Sequence, residues 1–283
     1  MSLTRWRALS AHLPPDAIPA RPDFGTRYPW RDVALHARSL ELDQRVDRTR
    51  RHLDTALATL VPGGWRLSLS GGKDSSALAV LCAEHGVALP AMSVKDDLDY
   101  PGEREALAAL ASRTGHALTI LTPPVSLLGY LRETRPSLVE DLHGRTADLS
   151  ARWFYGLLDE HRAAKGYGGV LLGLRAKESR GRAMNRATRG HVYQRADGLH
   201  VAQPLADWTA LDVHAYLWRA EVPVLPVYLC VDPCADALAL RKSWWVCGGT
   251  SARVGAHYTW LRRWWPGCWA AAVEIDPEVG RLS

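Results

Sequence analysis

Seven consecutive residues, Ser70-Gly71-Gly72-Lys73-Asp74-Ser75-Ser76, combine two glycines, a cation, a carboxylate and three hydroxyls. That is the equipment of an anion site. Glycine has no Cβ, so a turn on Gly71 and Gly72 leaves several N–H groups facing one point, and the positive end of a following helix adds to their pull on a phosphate. The string lies between Leu67 and Leu69, which read as a short apolar strand, and Leu78 and Leu81, which read as the buried face of a helix starting near Asp74. Two common phosphate loops are excluded on spacing. Leu67 stands where the first glycine of a Walker A loop belongs, and Asp74 follows Lys73 where that loop needs Ser or Thr. No third glycine completes a dinucleotide fingerprint.

A second group of charges follows an apolar run. Gly173-Leu-Arg-Ala-Lys-Glu-Ser-Arg-Gly-Arg182 carries Arg175, Lys177, Arg180 and Arg182 with Glu178. A planar guanidinium binds two oxygens at once, so a basic loop of this kind suits phosphate or sulfate. Asp96, Asp97 and Asp99 form an acidic turn after another apolar run. It reads either as solvated turn carboxylates or as a ribose or Mg²⁺ contact, with Asp97 the candidate.

The elements that must position these groups alternate along the chain. Leu42, Val46, Leu53, Leu57 and Leu60 fit one face of a helix stopped by Pro62-Gly63-Gly64. Strands are predicted at 88–94, 117–121 and 169–174. A helix begins near Pro101 with Leu107 and Leu110 inside, and another covers 152–165. Residues 192–201 read as a hairpin turning at Asp197-Gly198, and Thr209 with Asp212 makes a capping box. Short apolar strands separated by helices predict an α/β fold, a parallel sheet with helices on both faces. Ligands in such sheets sit beyond the carboxyl ends of the strands, where the charged strings fall. The division expected is an extended N-terminal arm over 1–38, an α/β domain over 39–228 and a Trp- and Arg-rich helical segment over 229–283 packed on it.

Ser70-Gly-Gly-Lys-Asp-Ser75 resembles the PP-loop of the ATP pyrophosphatase superfamily. Gly173-x-Arg175 followed by Glu178-Ser179 and more arginines, Pro204-Leu-Ala-Asp-Trp-Thr209, and Pro223-Val-Leu-Pro226-Val-Tyr228 resemble the phosphoadenosine phosphosulfate (PAPS) reductase family, so the likeness spans Leu42 to Tyr228. The resemblance implies an adenine nucleotide alpha-hydrolase-like, Rossmann-like three-layer fold and an enzyme that binds an adenine nucleotide. Ser70, Gly71, Gly72, Lys73, Asp74, Ser75 and Ser76 would cradle phosphates, with Asp97, Gly173, Glu178 and Ser179 nearby. Lys73, Arg175, Arg180 and Arg182 would neutralise charge in the transition state. If the substrate is ATP, Asp74 would help hold Mg²⁺, and Asp74→Ala is expected to abolish turnover with the fold intact. For the Pro204–Tyr228 segment, which holds the Pro-x-x-Pro-x-Tyr string, the resemblance implies a structural role, carrying the chain back across the nucleotide site.

The family's reductases use a Glu-Cys-Gly-x-His string. Here Val246-Cys247-Gly-Gly249 lacks both the glutamate and the histidine, which tips the expectation toward ATP-dependent adenylyl transfer with release of pyrophosphate. PAPS reduction through Cys247 is the alternative. A third reading is a non-catalytic nucleotide- or nucleic-acid-binding module, in which Trp244, Trp245 and the 260–266 segment stack bases. The competing reading puts Trp260, Trp264 and Trp265 in the core with Arg262 and Arg263 outside.

The remaining composition sets outer limits. The chain has 283 residues, 47% hydrophobic and 23% charged, with 12 Trp, 2 Phe and a net charge of +5, mild enough for either a nucleotide partner or plain solubility. No apolar run is long enough to span a membrane, and no signal-peptide pattern opens the chain, so a cytoplasmic protein is expected. Five cysteines argue against a disulfide framework. Cys82 falls on the apolar face of a helix. Cys230, Cys234, Cys247 and Cys268 lack the spacing of an iron–sulfur or zinc site, and neither cofactor is expected. The expected partners are an adenine nucleotide and an unidentified acceptor, with a homodimer or a partner subunit left open.

Overall fold

The computed structural model describes residues 3–139, 150–231, 238, 240, 242, 244–246 and 254–282. Its N-terminal segment corrects the expected extended arm. Helix α1 (Leu3–Leu9), a 3-10 turn at Pro15–Ala17 and helix α2 (Trp30–His36) bury Trp6, Phe24, Tyr28 and Val33. Trp6 Nε1 donates to the carbonyl of Val224 at 2.8 Å, and the rings of Trp6 and Phe24 meet edge-on at 5.5 Å. These anchors lie too far apart in sequence to show a helical period. Their partners come from the other end of the chain. Helix α3 (Leu40–Ala58) is capped by Ser39 Oγ, which accepts from the Leu42 N–H at 3.2 Å, and buries Leu42, Val46, Thr49, Leu53 and Ala56. Leu57 is only half-buried, and Leu60, expected on the same face, lies past the helix end in solvent.

The sheet is built from β1 (Trp65–Ser68), β2 (Ala91–Val94), β3 (Leu118–Leu121), β4 (Gly169–Leu172), β5 (Val192–Gln194) and β6 (His200–Ala202). Between them run α4 (Lys73–Glu84), α5 (Glu103–Thr114), α6 (Leu127–Thr134), α7 (Leu157–Lys165, preceded by a π turn at Ser150–Gly156) and α8 (Arg180–Arg189); α9 (Ala210–Arg219) follows β6. The strand order is β3-β2-β1-β4-β6-β5, parallel except for β5, which forms the hairpin with β6. The fold is therefore the expected α/β sheet. β1 pairs on one side with β2, Leu67 opposite Ala91, and on the other with β4, Leu67 opposite Leu171. The chain leaves β1 toward β2 and β3 and returns on the far side at β4. A ligand crevice opens at such a reversal, and both charged strings leave the sheet there.

Alternation along β1 turns Leu67 and Leu69 to the face covered by α4 and Arg66 and Ser68 to the face under α7. The two faces are not equally sealed. α4 buries nine of its residues, whereas α7 buries none. The basic loop after β4 also departs from expectation, since Arg180–Arg189 is helical, with Ser179 Oγ accepting from the Arg182 N–H at 3.2 Å.

The tail forms α10 (Val254–Trp264), α11 (Pro266–Ile275) and α12 (Glu278–Leu282). Trp264 and Trp265 are buried, Trp260 is half-buried and Arg262 is exposed, which is the packing alternative of the two readings. Trp245 is buried as well. Phe24 meets Trp264 at 6.4 Å and Arg21 Nε donates to the Arg263 carbonyl at 2.7 Å, so the two ends of the chain share one core. Among the described residues no helix is long and apolar enough to cross a membrane.

Candidate functional site

The turn after β1 is held by its own side chains. Gly71 sits at φ +82°, a conformation that an L side chain resists, and Gly72 is the N-cap of α4. Ser70 Oγ accepts from the Gly72 N–H at 3.3 Å and meets Ser75 Oγ at 3.0 Å, while Ser75 Oγ donates to the Gly72 carbonyl at 3.0 Å. The Lys73 N–H, first in α4, donates to the hydroxyl of Tyr228 at 3.1 Å. Ser70, Gly72, Lys73, Asp74 and Ser75 face a cavity of about 520 Å³. Gly71 and Ser76 do not; they border a separate space of about 170 Å³ against Leu9, His12 and Arg113.

Asp74 binds Arg175 Nε through one oxygen and Lys73 Nζ through the other, the latter at 3.2 Å. Glu178 holds Arg175 from the other side at 3.5 Å and also pairs with Arg182. Lys73 and Arg175 are buried. Burial lowers the Lys73 pKa, and the Asp74 carboxylate opposes that shift. The chain Lys73–Asp74–Arg175–Glu178–Arg182 thus holds three cations beside the cavity with two carboxylates. Gly173, at the carboxyl end of β4, lies against α4: a Cβ there would sit 2.7 Å from the Asp74 carbonyl. Only glycine lets the two strand ends close on each other.

Lys242 and Trp244, from the tail, also line the cavity. Lys242 Nζ binds Glu103 at 2.6 Å, Asp99 at 3.4 Å and the Ser70 carbonyl at 3.3 Å. Lys95 binds the same two carboxylates, Glu103 at 2.7 Å and Asp99 at 3.3 Å. Glu103, Lys95 and Asp99 are almost wholly buried, and the two lysines hold the Asp99 carboxyl below its usual range against the opposing effect of burial. Trp244 Nε1 donates to Asp96 at 2.7 Å; burial and the Asp99 charge push the Asp96 carboxyl up to about 6. Lys73 Nζ also donates to the Leu240 carbonyl at 2.8 Å. Lys95, Glu103 and Lys242 therefore belong to the site although no motif marks them, and Tyr228 joins it from the Pro-x-x-Pro-x-Tyr string, expected to be structural.

The family model of the phosphoadenosine phosphosulfate reductase domain matches residues 65–230, more than half of the chain, from the start of β1 to just past Tyr228. The chain belongs to that family. No curated protein sequence matches it. PAPS reductase from Candida auris, solved as a phosphate complex, is similar over 66% of this chain and 89% of its own at 18% identity, with a TM-score of 0.50, a likeness of fold. NMN synthetase from Francisella tularensis (16% identity; 80% of this chain, 94% of its own; TM-score 0.45) and the U34-tRNA thiolase NcsA from Methanococcus maripaludis with its 4Fe-4S cluster (15%; 86% and 81%; 0.47) are also similar. The fold is Rossmann-like, of the adenine nucleotide alpha-hydrolase-like kind.

Several residues that the PAPS reductase resemblance assigned to the nucleotide are engaged elsewhere. Asp97 is exposed and caps α6, accepting from Ser126 Oγ at 2.5 Å and from the Leu128 N–H at 2.9 Å. Ser179 caps α8, and Arg180 points to solvent; neither lines the cavity. Among the described residues, the carboxylates around the loop do not fit a protein-held Mg²⁺. Both oxygens of Asp74 are taken by cations, as are those of Glu178, and Asp99 serves two lysines. With these three engaged, magnesium at the loop would sit on the nucleotide's phosphates. Cys234 and Cys247 lie outside the described residues. Cys82 is buried with its thiol pushed up to about 12, Cys230 is buried on the Pro226 carbonyl, and Cys268 is pushed up to about 11. Among the described residues the one cluster with metal-ligand spacing, His52, His191 and Asp207, contains no cysteine and lies away from the cavity. Arg186 fills it, 2.7 Å from His191 Nε2 and 3.1 Å from each Asp207 oxygen.

Proposed function

We propose that this PAPS reductase-family chain is an enzyme that binds ATP on the Ser70–Ser76 loop and transfers its adenylyl group to an acceptor, releasing pyrophosphate. The observation that carries the reading is the meeting of Lys73, Arg182 and Lys242 on one cavity at the N-terminus of α4, with Arg175 held by Asp74 and Glu178. An acceptor nucleophile attacks the α-phosphorus, the bond to the bridging oxygen breaks, and its electron pair departs with pyrophosphate. Negative charge grows on that leaving group. Cations already fixed by Asp74, Glu178 and Glu103 need no reorganisation to receive it, the condition under which electrostatic stabilisation of a transition state is largest. Tyr228 supports the same reading: its oxygen accepts from the Lys73 N–H, which leaves its proton to donate to a phosphate oxygen.

Reduction of PAPS to sulfite through Cys247 is the second reading, and the family match favours it. A nucleic-acid module has less support, because Trp245, Trp264 and Trp265 are spent on the core. Parallel calorimetric titration of the reduced protein with magnesium ATP and with PAPS, followed by product analysis, tests the choice. Binding of ATP is expected, with pyrophosphate released, AMP formed where water takes the place of the acceptor, and no effect of Cys247→Ser. PAPS binding alone, with sulfite formation lost in Cys247→Ser, overturns the ATP reading.

A further inference from the structure

Arg66 lies on β1, four residues before Ser70, and lines the same cavity as the phosphate loop. At about 3.3 Å per residue the two are about 13 Å apart along the strand. Arg66 is 5% exposed, and the partners of its guanidinium are neutral: Nη1 donates to Met92 Sδ at 2.9 Å and to the Leu158 carbonyl at 3.2 Å, and Nε is buried with no partner among the described residues. Among the described residues no carboxylate forms an ion pair with it. Asp159, which faces the same cavity, is engaged by Arg162 at 3.6 Å, and Asp197 by Arg195 at 3.0 Å. Among the described residues these are three arginines, Arg66, Arg162 and Arg195, against two carboxylates. Arginine stays protonated in a protein, and a buried charge without a counterion is costly to keep. The cover over it is loose, since α7 buries none of its side chains.

We propose that Arg66 anchors a second anion subsite, at the far end of the cavity from the phosphate loop, for a carboxylate, phosphate or sulfate group of a bound substrate. It rests on the reading that the loop takes the nucleotide's phosphates. The second anion then comes from one of two sources, an acidic group on the acceptor if the nucleotide is ATP, or a 3′-phosphate on the ribose under the PAPS reading. The planar fork and the unpartnered Nε suit two oxygens held side by side.

The test compares the full-length protein with Arg66→Met and Arg66→Lys by calorimetry, using AMP, adenosine 3′,5′-bisphosphate and, without nucleotide, succinate. If the source is the ribose phosphate, the wild type prefers the bisphosphate over AMP by about tenfold and Arg66→Met erases the preference. If it is the acceptor, the two nucleotides bind alike and Arg66→Met weakens succinate by about tenfold. In either case the melting temperature of Arg66→Met is unchanged or higher, because an unpaired buried cation has been removed. Unchanged nucleotide preference and unchanged succinate binding in Arg66→Met overturn the proposal. So does a loss of stability in Arg66→Met that Arg66→Lys restores while binding all three probes like the wild type. A wild type that binds no nucleotide sinks the ATP reading alone, since the succinate comparison still reports on Arg66.

Discussion

The Lys73 N–H donates to the hydroxyl of Tyr228 at 3.1 Å, tying the first turn of α4 to the turn at Pro226–Leu229, 155 residues later. Tyr228 is buried, its ring lies 5.0 Å from Lys73 Nζ, and burial raises its pKa, so it stays a neutral donor. Tyr228→Phe leaves the Lys73 N–H without its acceptor, for a loss of about 1 kcal/mol in urea denaturation. Nucleotide affinity is expected to fall as well, because the cavity loses the hydroxyl. Unchanged affinity would mean that the tyrosine only braces the loop.

Asp74 stands between two buried cations, which changes the expectation for its removal. Asp74→Ala strands Lys73 and Arg175 and is predicted to cost about 3 kcal/mol, measured by denaturant unfolding. The variant is therefore not fold-neutral, contrary to the reading of the loop alone. Asp74→Asn keeps one acceptor and is the cleaner probe: a smaller loss of stability with turnover still strongly reduced is expected. Full activity in Asp74→Asn would remove the carboxylate from the mechanism.

Gly173→Ala puts a methyl 2.7 Å from the backbone of Asp74 and 2.8 Å from Ser75 Cα. No flexible side chain can yield there, so β4 and α4 must part. The prediction is a destabilisation of about 2 kcal/mol together with weaker nucleotide binding, since the shift moves the loop itself. A stable variant with wild-type affinity would show that the two ends need not touch.

His52 stacks on His191 at 3.6 Å, and burial, then the His191 charge, push its pKa down to about 4. Between the ordinary value of 6.5 and about 4 the folded state binds fewer protons than the unfolded chain. Its contribution is complete above that window and is lost as the pH falls through it. His52→Gln is expected to reduce the acid loss of stability between pH 6.5 and 4.5 by about 1 kcal/mol, with solvent screening allowed for. Parallel melting curves for the two proteins across that range provide the check.

The Ser70–Ser76 turn is legible because its geometry is local. Seven adjacent residues between a strand and a helix carry their own geometry, and Thr209 with Asp212 announced α9 in the same way. The capping roles of Asp97 and Ser179 are not legible for a related reason: an acid or hydroxyl near a helix start can cap it, and only the folded chain shows Asp97 accepting from the Leu128 N–H and Ser179 Oγ from the Arg182 N–H.

The sequence by itself determined the parallel α/β sheet, the family and the loop, because strand and helix periods and short-range turn chemistry are written in neighbouring residues. Tertiary structure decided which cations meet. Lys73 with Arg175 through Asp74, Lys242 with Lys95 through Glu103, and Arg66 on the far wall come from segments up to about 170 residues apart, and no local preference encodes their distance. Their positions follow from burial. Charges removed from water must find partners or a ligand, and those partners can be named only when the chain has closed on itself.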